Sequence, residues 1–297
     1  MRSTVCSSRT IRYGSGQPML AAILNLSPDS FSGDGASDWR PRADALIRSG
    51  VRWIDAGAES TRPGSSGVDP DHERALLIPA VRYIREQAPD IVISADTRHA
   101  SVARAAAEAG ADILNDVSGL GDPEMLRTVA ETGCGFVLMH SRGTPETMQS
   151  EENLKYADVT EDVCSFFEEQ LRRLENAGVP RSAVLLDPGI GFAKNTEQNL
   201  TLIRDADVFH RRFDLPLFYG VSRKRFIGEL TGETDASKRD AGTAGVLLYL
   251  ADLGTEVLRV HNVKTASDAL CMYEMLKKTE NAFSFSAKRV IIRERDI

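Results

Sequence analysis

The sequence predicts a single-domain α/β protein, a (β/α)8 TIM barrel, and three observations lead there. Short runs rich in Val, Ile and Leu alternate with longer amphipathic segments along the chain. Several of those runs are apolar throughout, as strands covered on both faces are. Polar residues recur where the runs end, at Asn25, Asp55, Asp96, Asn115 and Asp187, and the carboxyl ends of barrel strands are where barrel chemistry gathers. A doubly wound sheet is the structural alternative, but no Gly-x-Gly-x-x-Gly turn follows a first strand.

Taken in order, residues 19–24 form the first apolar run, closed by Asn25, and 51–54 form the second, before Asp55. A helix over 71–87 opens with acids and carries apolar residues at Ala75, Ile78 and from Val81 to Tyr83. The third run, 91–94, leads to Asp96-Thr97, and an Ala-rich helix over 101–109 stops at Gly110. The fourth, 113–114, leads to Asn115-Asp116; Asp122 then caps a helix over 123–131 that ends near Gly133. The fifth, 136–139, precedes His140, and the longest helix, 158–177, ends at Gly178-Val179-Pro180. The sixth, 184–186, runs into Asp187-Pro-Gly-Ile-Gly-Phe192, and the seventh, 217–221, into Ser222-Arg223-Lys224. A helix over 240–253, the eighth run at 257–260 and a last helix over 265–277 complete the pattern. Residues 17–278 are thus the barrel; 1–16 and 279–297 are terminal extensions, disordered or docked on its surface.

Composition narrows the function. With 297 residues, 42% hydrophobic and 27% charged, the chain can bury a large core. A net charge of −7 argues against nucleic acid as a partner. No run approaches the roughly 18 apolar residues of a membrane span, and the polar start lacks the apolar centre of a signal peptide. Cys6, Cys134, Cys164 and Cys271 form no CxxC pair, so reduced thiols in a cytoplasmic protein are expected.

The loops after the runs are unusually rich. Asn25 to Gly35 is long, polar and glycine-containing, and Asp55 to Gly64 places hydroxyls and Arg62 beside Pro63. Such loops can grip phosphate through Arg and backbone amides. Arg259 and His261, two apart on a strand, face one side and can meet one anion. The acids and amides opposite suit a ligand edge bearing N–H donors, with Lys224 as counter-charge and ring contact. His140 lacks metal-ligand spacing and is expected to be a hydrogen-bonding residue.

At these residues the chain resembles the dihydropteroate synthase family. The matching blocks are Leu24-Asn-Leu-Ser-Pro-Asp-Ser-Phe-Ser32, Glu59-Ser-Thr-Arg-Pro-Gly64, Asp96-Thr97, Asn115-Asp-Val-Ser118, Leu138-Met-His140, Leu186-Asp-Pro-Gly-Ile-Gly-Phe192, Ser222-Arg-Lys224 and Arg259-Val-His261. No block is diagnostic alone; their order over about residues 18–277 is. The resemblance implies a folate-biosynthesis transferase and sulfonamide target that joins 4-aminobenzoate to 6-hydroxymethyl-7,8-dihydropterin pyrophosphate. It implies that Asp96, Asp187 and Lys224 are catalytic, and that these three with Asn115, Met139 and Phe192 hold the pterin. Asn25, Arg62, Arg259 and His261 would bind pyrophosphate, Asn25 also meeting Mg²⁺. Phe31, Thr61, Pro63 and Ser222 would form the aminobenzoate pocket. A homodimer through the last helices is implied too, with Ala241, Ala244, Leu247 and Leu248 small or apolar enough for it. The chain departs from the family pattern at Ala22, Ala58, Ser32-Gly33-Asp34-Gly35 and Asn262. A pterin-binding methyltransferase, a catalytically silent paralogue and an unrelated phosphate-handling barrel are the competing readings; the anion-binding residues and the full set of strand-end ligands separate them.

Overall fold

The computed structural model describes residues 2–6, 9–14, 17–26, 38–59, 67–144 and 146–277. It opens with an antiparallel hairpin, β1 (Ser3–Val5) and β2 (Thr10–Arg12). The barrel strands are β3 (Met19–Asn25), β4 (Trp53–Gly57), β5 (Val92–Asp96), β6 (Ile113–Asp116), β7 (Gly135–Met139), β8 (Val184–Asp187), β9 (Phe218–Tyr219) and β10 (Val257–Val260). They form one parallel sheet in the order β8-β7-β6-β5-β4-β3-β10-β9. A parallel bridge between Leu186 and Leu217 joins the two ends, so the sheet closes into a barrel.

Helices lie between the strands: α1 (Arg40–Arg48), α2 (Pro70–Gln87), α3 (Ala100–Glu108), α4 (Met125–Thr132), α5 (Val159–Asn176), α6 (Thr196–Arg204), α7 (Ala206–Phe213), α8 (Arg225–Thr231), α9 (Asp240–Asp252) and α10 (Val263–Lys277). Their caps explain their positions. Asp69 and Asp158 accept backbone N–H groups at the starts of α2 and α5, and Asn195 with Gln198 forms a reciprocal cap on α6. Asp122 does not cap the fourth helix in the expected way. One oxygen accepts Glu124 N, the other accepts Ala100 N, so it serves α3 as well and α4 begins later, at Met125. The two steps after β8 and β9 each carry two helices rather than one.

Most strands differ from their apolar runs by a residue or two at an end, and two of the differences matter here. The second begins at Trp53, not Val51, which puts Asp55 at its centre. The seventh keeps two of the five expected residues, because the chain leaves the sheet after Tyr219. Leu247 is fully buried in the barrel's outer core, so it is not available to a subunit interface.

The described part of the N-terminal extension takes the second of the two expected forms and docks on the barrel. One inward residue from each strand (Ala21, Trp53, Val92, Ile113, Val137, Leu185, Phe218 and Val257) meets Cys6, Ile11 and Tyr13 in a single apolar cluster. The hairpin therefore closes the barrel at the amino-terminal end of the strands. Tyr13 is 2% exposed, and its hydroxyl pairs with that of Thr4 at 2.7 Å. Arg2 bonds Glu256 at 2.7 Å and Arg9 bonds Asp112 at 2.9 Å, tying both ends of the hairpin to the barrel rim. The tail from 278 onward lies outside the described residues. Among the described residues no helix is long and apolar enough to cross a membrane.

Tyr13→Ala should lower the unfolding free energy by about 3 kcal/mol, the usual cost of truncating a buried aromatic, without altering turnover at the far end of the barrel. Urea denaturation and steady-state rates measured together check this; an unchanged urea midpoint would mean that the hairpin does not seal the floor.

Candidate active site

Strand geometry builds the mouth from the floor. Side chains two residues apart on a strand face the same way. From Trp53 the inward series continues to Asp55, from Val92 to Ser94 and Asp96, and from Ile113 to Asn115. It continues from Val137 to Met139, from Leu185 to Asp187, and from Val257 to Arg259 and His261. The polar residues singled out in the sequence are thus the next layers of one stack.

At the centre is Arg259. Its Nε donates to Asp55 Oδ2 at 2.5 Å and its Nη2 to Asp96 Oδ2 at 2.6 Å. Asp55 is wholly buried and also accepts from the Ser94 hydroxyl and, at 3.3 Å, from Asn115 Nδ2. Ser94 in turn accepts from Trp53 Nε1 at 2.8 Å, which links the cluster to the floor. The two carboxylates hold the guanidinium's pKa above its ordinary value despite burial. Burial pushes Asp96 up to about 7, with Arg259 pulling it down and Asp55 pushing it up.

This arrangement refines the sequence reading of Arg259 and His261. Both residues rise from β10 on its inward side, but they have different protein partners. His261 is joined to Ser222 Oγ, through its backbone N at 3.2 Å and its ring Nδ1 at 3.1 Å. Asp55, which had no assigned role, is the main anchor of Arg259. The available signal was a carboxylate inside an otherwise apolar strand, since a buried charge needs a partner. Asp116, beside Asn115, is spent on the turn that follows it: it accepts from the backbone of Ser118 and Leu120 at 2.8 Å each.

The opposite wall comes from β8 and the loop after β9. Asp187 accepts from Gly189 N at 2.8 Å, and burial pushes its carboxyl up to about 6. Lys224 Nζ lies 4.1 Å from the Phe192 ring centroid, a cation–π contact. Lys224 and Ser222 reach the mouth because Arg223 between them adopts a left-handed conformation, φ 59°. Its guanidinium holds Asp240 at 2.7 and 2.9 Å, and Arg239 donates to its carbonyl at 3.1 Å. These contacts keep an unfavourable backbone state in place. Asn262 donates to Asp240 at 2.8 Å and accepts Thr265 N at 3.1 Å, so this departure from the family pattern supports the same loop.

Met139 ends β7, buried beside Asp187 in the register. His140 is a hydrogen-bonding residue as expected, joined to buried Lys194, which sequence reasoning passed over. Asn25 closes β3 half-exposed at the mouth. Phe31, Thr61, Arg62 and Pro63 lie outside the described residues. At the base of their second loop, Glu59 takes Arg98 at 2.7 and 3.1 Å, and Glu73 pairs with His99 at 2.7 Å. Ligand atoms of Glu59, Glu73 and His99 lie within 4.8 Å of one another. Because Arg98 occupies both oxygens of Glu59, the group is an ion-pair network.

Comparison with known proteins gives a consistent result. A model of the pterin binding enzyme family matches residues 21–261. The dihydropteroate synthase of Escherichia coli (strain K12) is 40% identical over 261 residues, covering 86% of this chain and 91% of that protein. The solved structure of the Yersinia pestis dihydropteroate synthase with a sulfonamide drug superposes with a TM-score of 0.85 at 33% identity, covering 93% of this chain and 99% of the other. That of the Xanthomonas albilineans dihydropteroate synthase with 4-aminobenzoic acid gives 0.84 at 33% identity, covering 94% and 99%.

Arg259→Met should cost the fold about 3–5 kcal/mol, because it leaves two buried carboxylates without their cation. His261→Ala, which removes the ring's bond to the Ser222 hydroxyl, should cost about 1 kcal/mol. Denaturant midpoints of the two variants compare these directly; equal losses would deny Arg259 its structural role.

Proposed function

The chain belongs to the pterin binding enzyme family, and we infer that it catalyses the dihydropteroate synthase reaction of folate synthesis. It is a transferase that condenses 6-hydroxymethyl-7,8-dihydropterin pyrophosphate with 4-aminobenzoate, giving 7,8-dihydropteroate and pyrophosphate. The observation that carries this is the 40% identity to a dihydropteroate synthase over most of both chains. The inward Asp96 and Asn115, facing the wall that carries Asp187 and Lys224, agree with it.

In the proposed complex, Asp96, Asn115 and Asp187 accept the N–H groups of the pterin, and Met139, Phe192 and Lys224 pack on its ring. As the C–O bond to pyrophosphate breaks, positive charge spreads into the pterin, and the two carboxylates stabilise it. The arylamine attacks as a neutral nucleophile, so positioning and electrostatics suffice and no covalent enzyme intermediate is needed. Asn25, Arg62, Arg259 and His261 take the pyrophosphate. A guanidinium has five N–H donors, and the bonds of Arg259 Nε to Asp55 and Nη2 to Asp96 use two of them, so it can hold the carboxylates and still meet an anion. Phe31, Thr61, Pro63 and Ser222 form the aminobenzoate pocket, where sulfonamides would compete.

Asn25 offers Mg²⁺ one amide oxygen. That fits an ion carried chiefly by substrate phosphates, since Mg²⁺ commonly takes one or two protein oxygens beside them. Bound there, it would neutralise charge on the departing pyrophosphate. A cytoplasmic setting suits the cysteines, all four of which are free thiols. The chain is further proposed to form a homodimer through α9 and α10. These helices pack on each other and leave Tyr249, Met272, Met275 and Leu276 exposed, an apolar face that a second copy would cover.

Pyrophosphate release should require both substrates, and omission of either should abolish it. Release without aminobenzoate would indicate a hydrolase, and no release under any condition would indicate a binding protein. His261→Ala should weaken the pterin pyrophosphate about tenfold while sparing the bare hydroxymethyl-pterin, as loss of one charge-assisted phosphate contact implies. Calorimetry with the two ligands decides it: equal losses would move the anion site elsewhere. Met272→Glu combined with Met275→Glu should give a monomer in sedimentation, and an unchanged sedimentation coefficient would refute the proposed interface.

A further inference from the structure

Behind the pterin wall lies Lys194, only 3% exposed. Its Nζ donates to Phe192 O at 2.9 Å, to His140 Nδ1 at 3.0 Å and to His140 O at 3.4 Å. An ammonium has three donors, and here each finds an acceptor. Two of these come from the end of β7 and one from the loop after β8, so the residue pins these two segments together.

The local chain is shaped around this contact. Gly189 has φ 72°, and a Cβ there would stand 1.9 Å from His140 O and 3.3 Å from Lys194 Nζ. Only glycine permits so close a pass. Ala193 takes φ 50° to send Lys194 inward. Asn199 of α6 grips both sides of Phe192: it accepts Gly191 N at 2.6 Å and donates to Lys194 O at 3.3 Å. Phe192, whose ring Lys224 covers, therefore sits on a segment held from behind at three points.

We propose that Lys194 is a positioning residue for the pterin substrate, setting the Phe192–Lys224 surface and supplying the positive charge behind Asp187. This rests on the synthase reading above. The groups facing Lys194 are Asp187, which attracts it, and Lys224 and Arg142, which repel it. His140 also faces it, kept neutral because burial and the nearby cations hold it well below its usual range. Burial pushes Lys194 down to about 7. Protonated Lys194 lowers the pKa of Asp187. Removing that charge raises it, so a carboxylate that must be ionised to take pterin N–H groups becomes ionised only at higher pH.

Lys194→Met tests this through the pH profile of kcat/KM for the pterin pyrophosphate. Its acid limb should move up by about half a unit or more, and KM for that substrate should rise about tenfold while KM for aminobenzoate changes less than about threefold. A merely structural lysine would lower the rate without moving the limb, and an unmoved limb with an unchanged pterin KM overturns the proposal. Wild-type protein labelled at the lysine ε-carbon gives a second measurement that does not require the variant to fold. One lysine should titrate near neutrality, and its pKa should rise when 6-hydroxymethyl-7,8-dihydropterin is added. Titration of every lysine above about 10, the ordinary range, overturns the proposal as well. If the wild-type protein makes no dihydropteroate, the synthase reading has failed, and the lysine titration still decides for or against the buried charge.

Discussion

The rest of the mouth depends on one guanidinium held between two carboxylates inside the barrel. Arg259 reaches from β10 past β3 to Asp55 on β4 and Asp96 on β5. The β3 residue in register with it is Ala21, small enough to let the side chain pass. Removing these charges from water is costly, and only their mutual pairing offsets it. A one-residue slip of any of these strands would turn its charge outward, so the triad fixes register as well as chemistry. It also ties recognition to folding, because Asp96 belongs both to this triad and to the proposed pterin edge.

The two ends of the barrel solve opposite problems with the same strands. At the amino-terminal end the inward residues are apolar, and the hairpin completes their cover. Moving two residues along five of the eight strands replaces that apolar layer with Asp55, Ser94, Asn115, Asp187 and Arg259. The Trp53–Ser94–Asp55 chain of hydrogen bonds crosses the boundary between the layers. The floor is sealed by dispersion and area, the mouth by directed polar bonds, and beside β4 the Glu59–Arg98 pair adds a further ionic contact.

The barrel was legible because strands buried on both faces leave continuous apolar runs. Asp96, Asn115 and Asp187 were legible because each ends such a run. Asp55 was visible, but its function was not: the strand runs on to Gly57 where the apolar run stops at Ile54, so a mid-strand charge looks like a loop residue. The hairpin was illegible because three-residue strands carry no period to detect, and its partners lie far away in sequence. Lys194 was missed for a related reason. Its acceptors are two backbone carbonyls and a ring nitrogen, and nothing in a sequence marks a carbonyl as short of a donor. For Leu247, an apolar residue on an apolar helix gave no means of telling the barrel face from the open one.

The electrostatics of the ligand-free mouth also account for how it could accept a pterin. Asp96 and Asp187 are held above the ordinary carboxyl range by burial, so the empty mouth holds its negative charge less readily than exposed carboxylates would. A ligand edge rich in N–H groups supplies hydrogen bonds from its own donors. Binding would then favour the ionised form of both carboxylates, the form that stabilises positive charge developing on the ring. Lys224 on one side and Lys194 behind favour that ionised state, while Arg259 does so from below. The mouth can therefore be reluctant to hold negative charge when empty and well suited to it when filled.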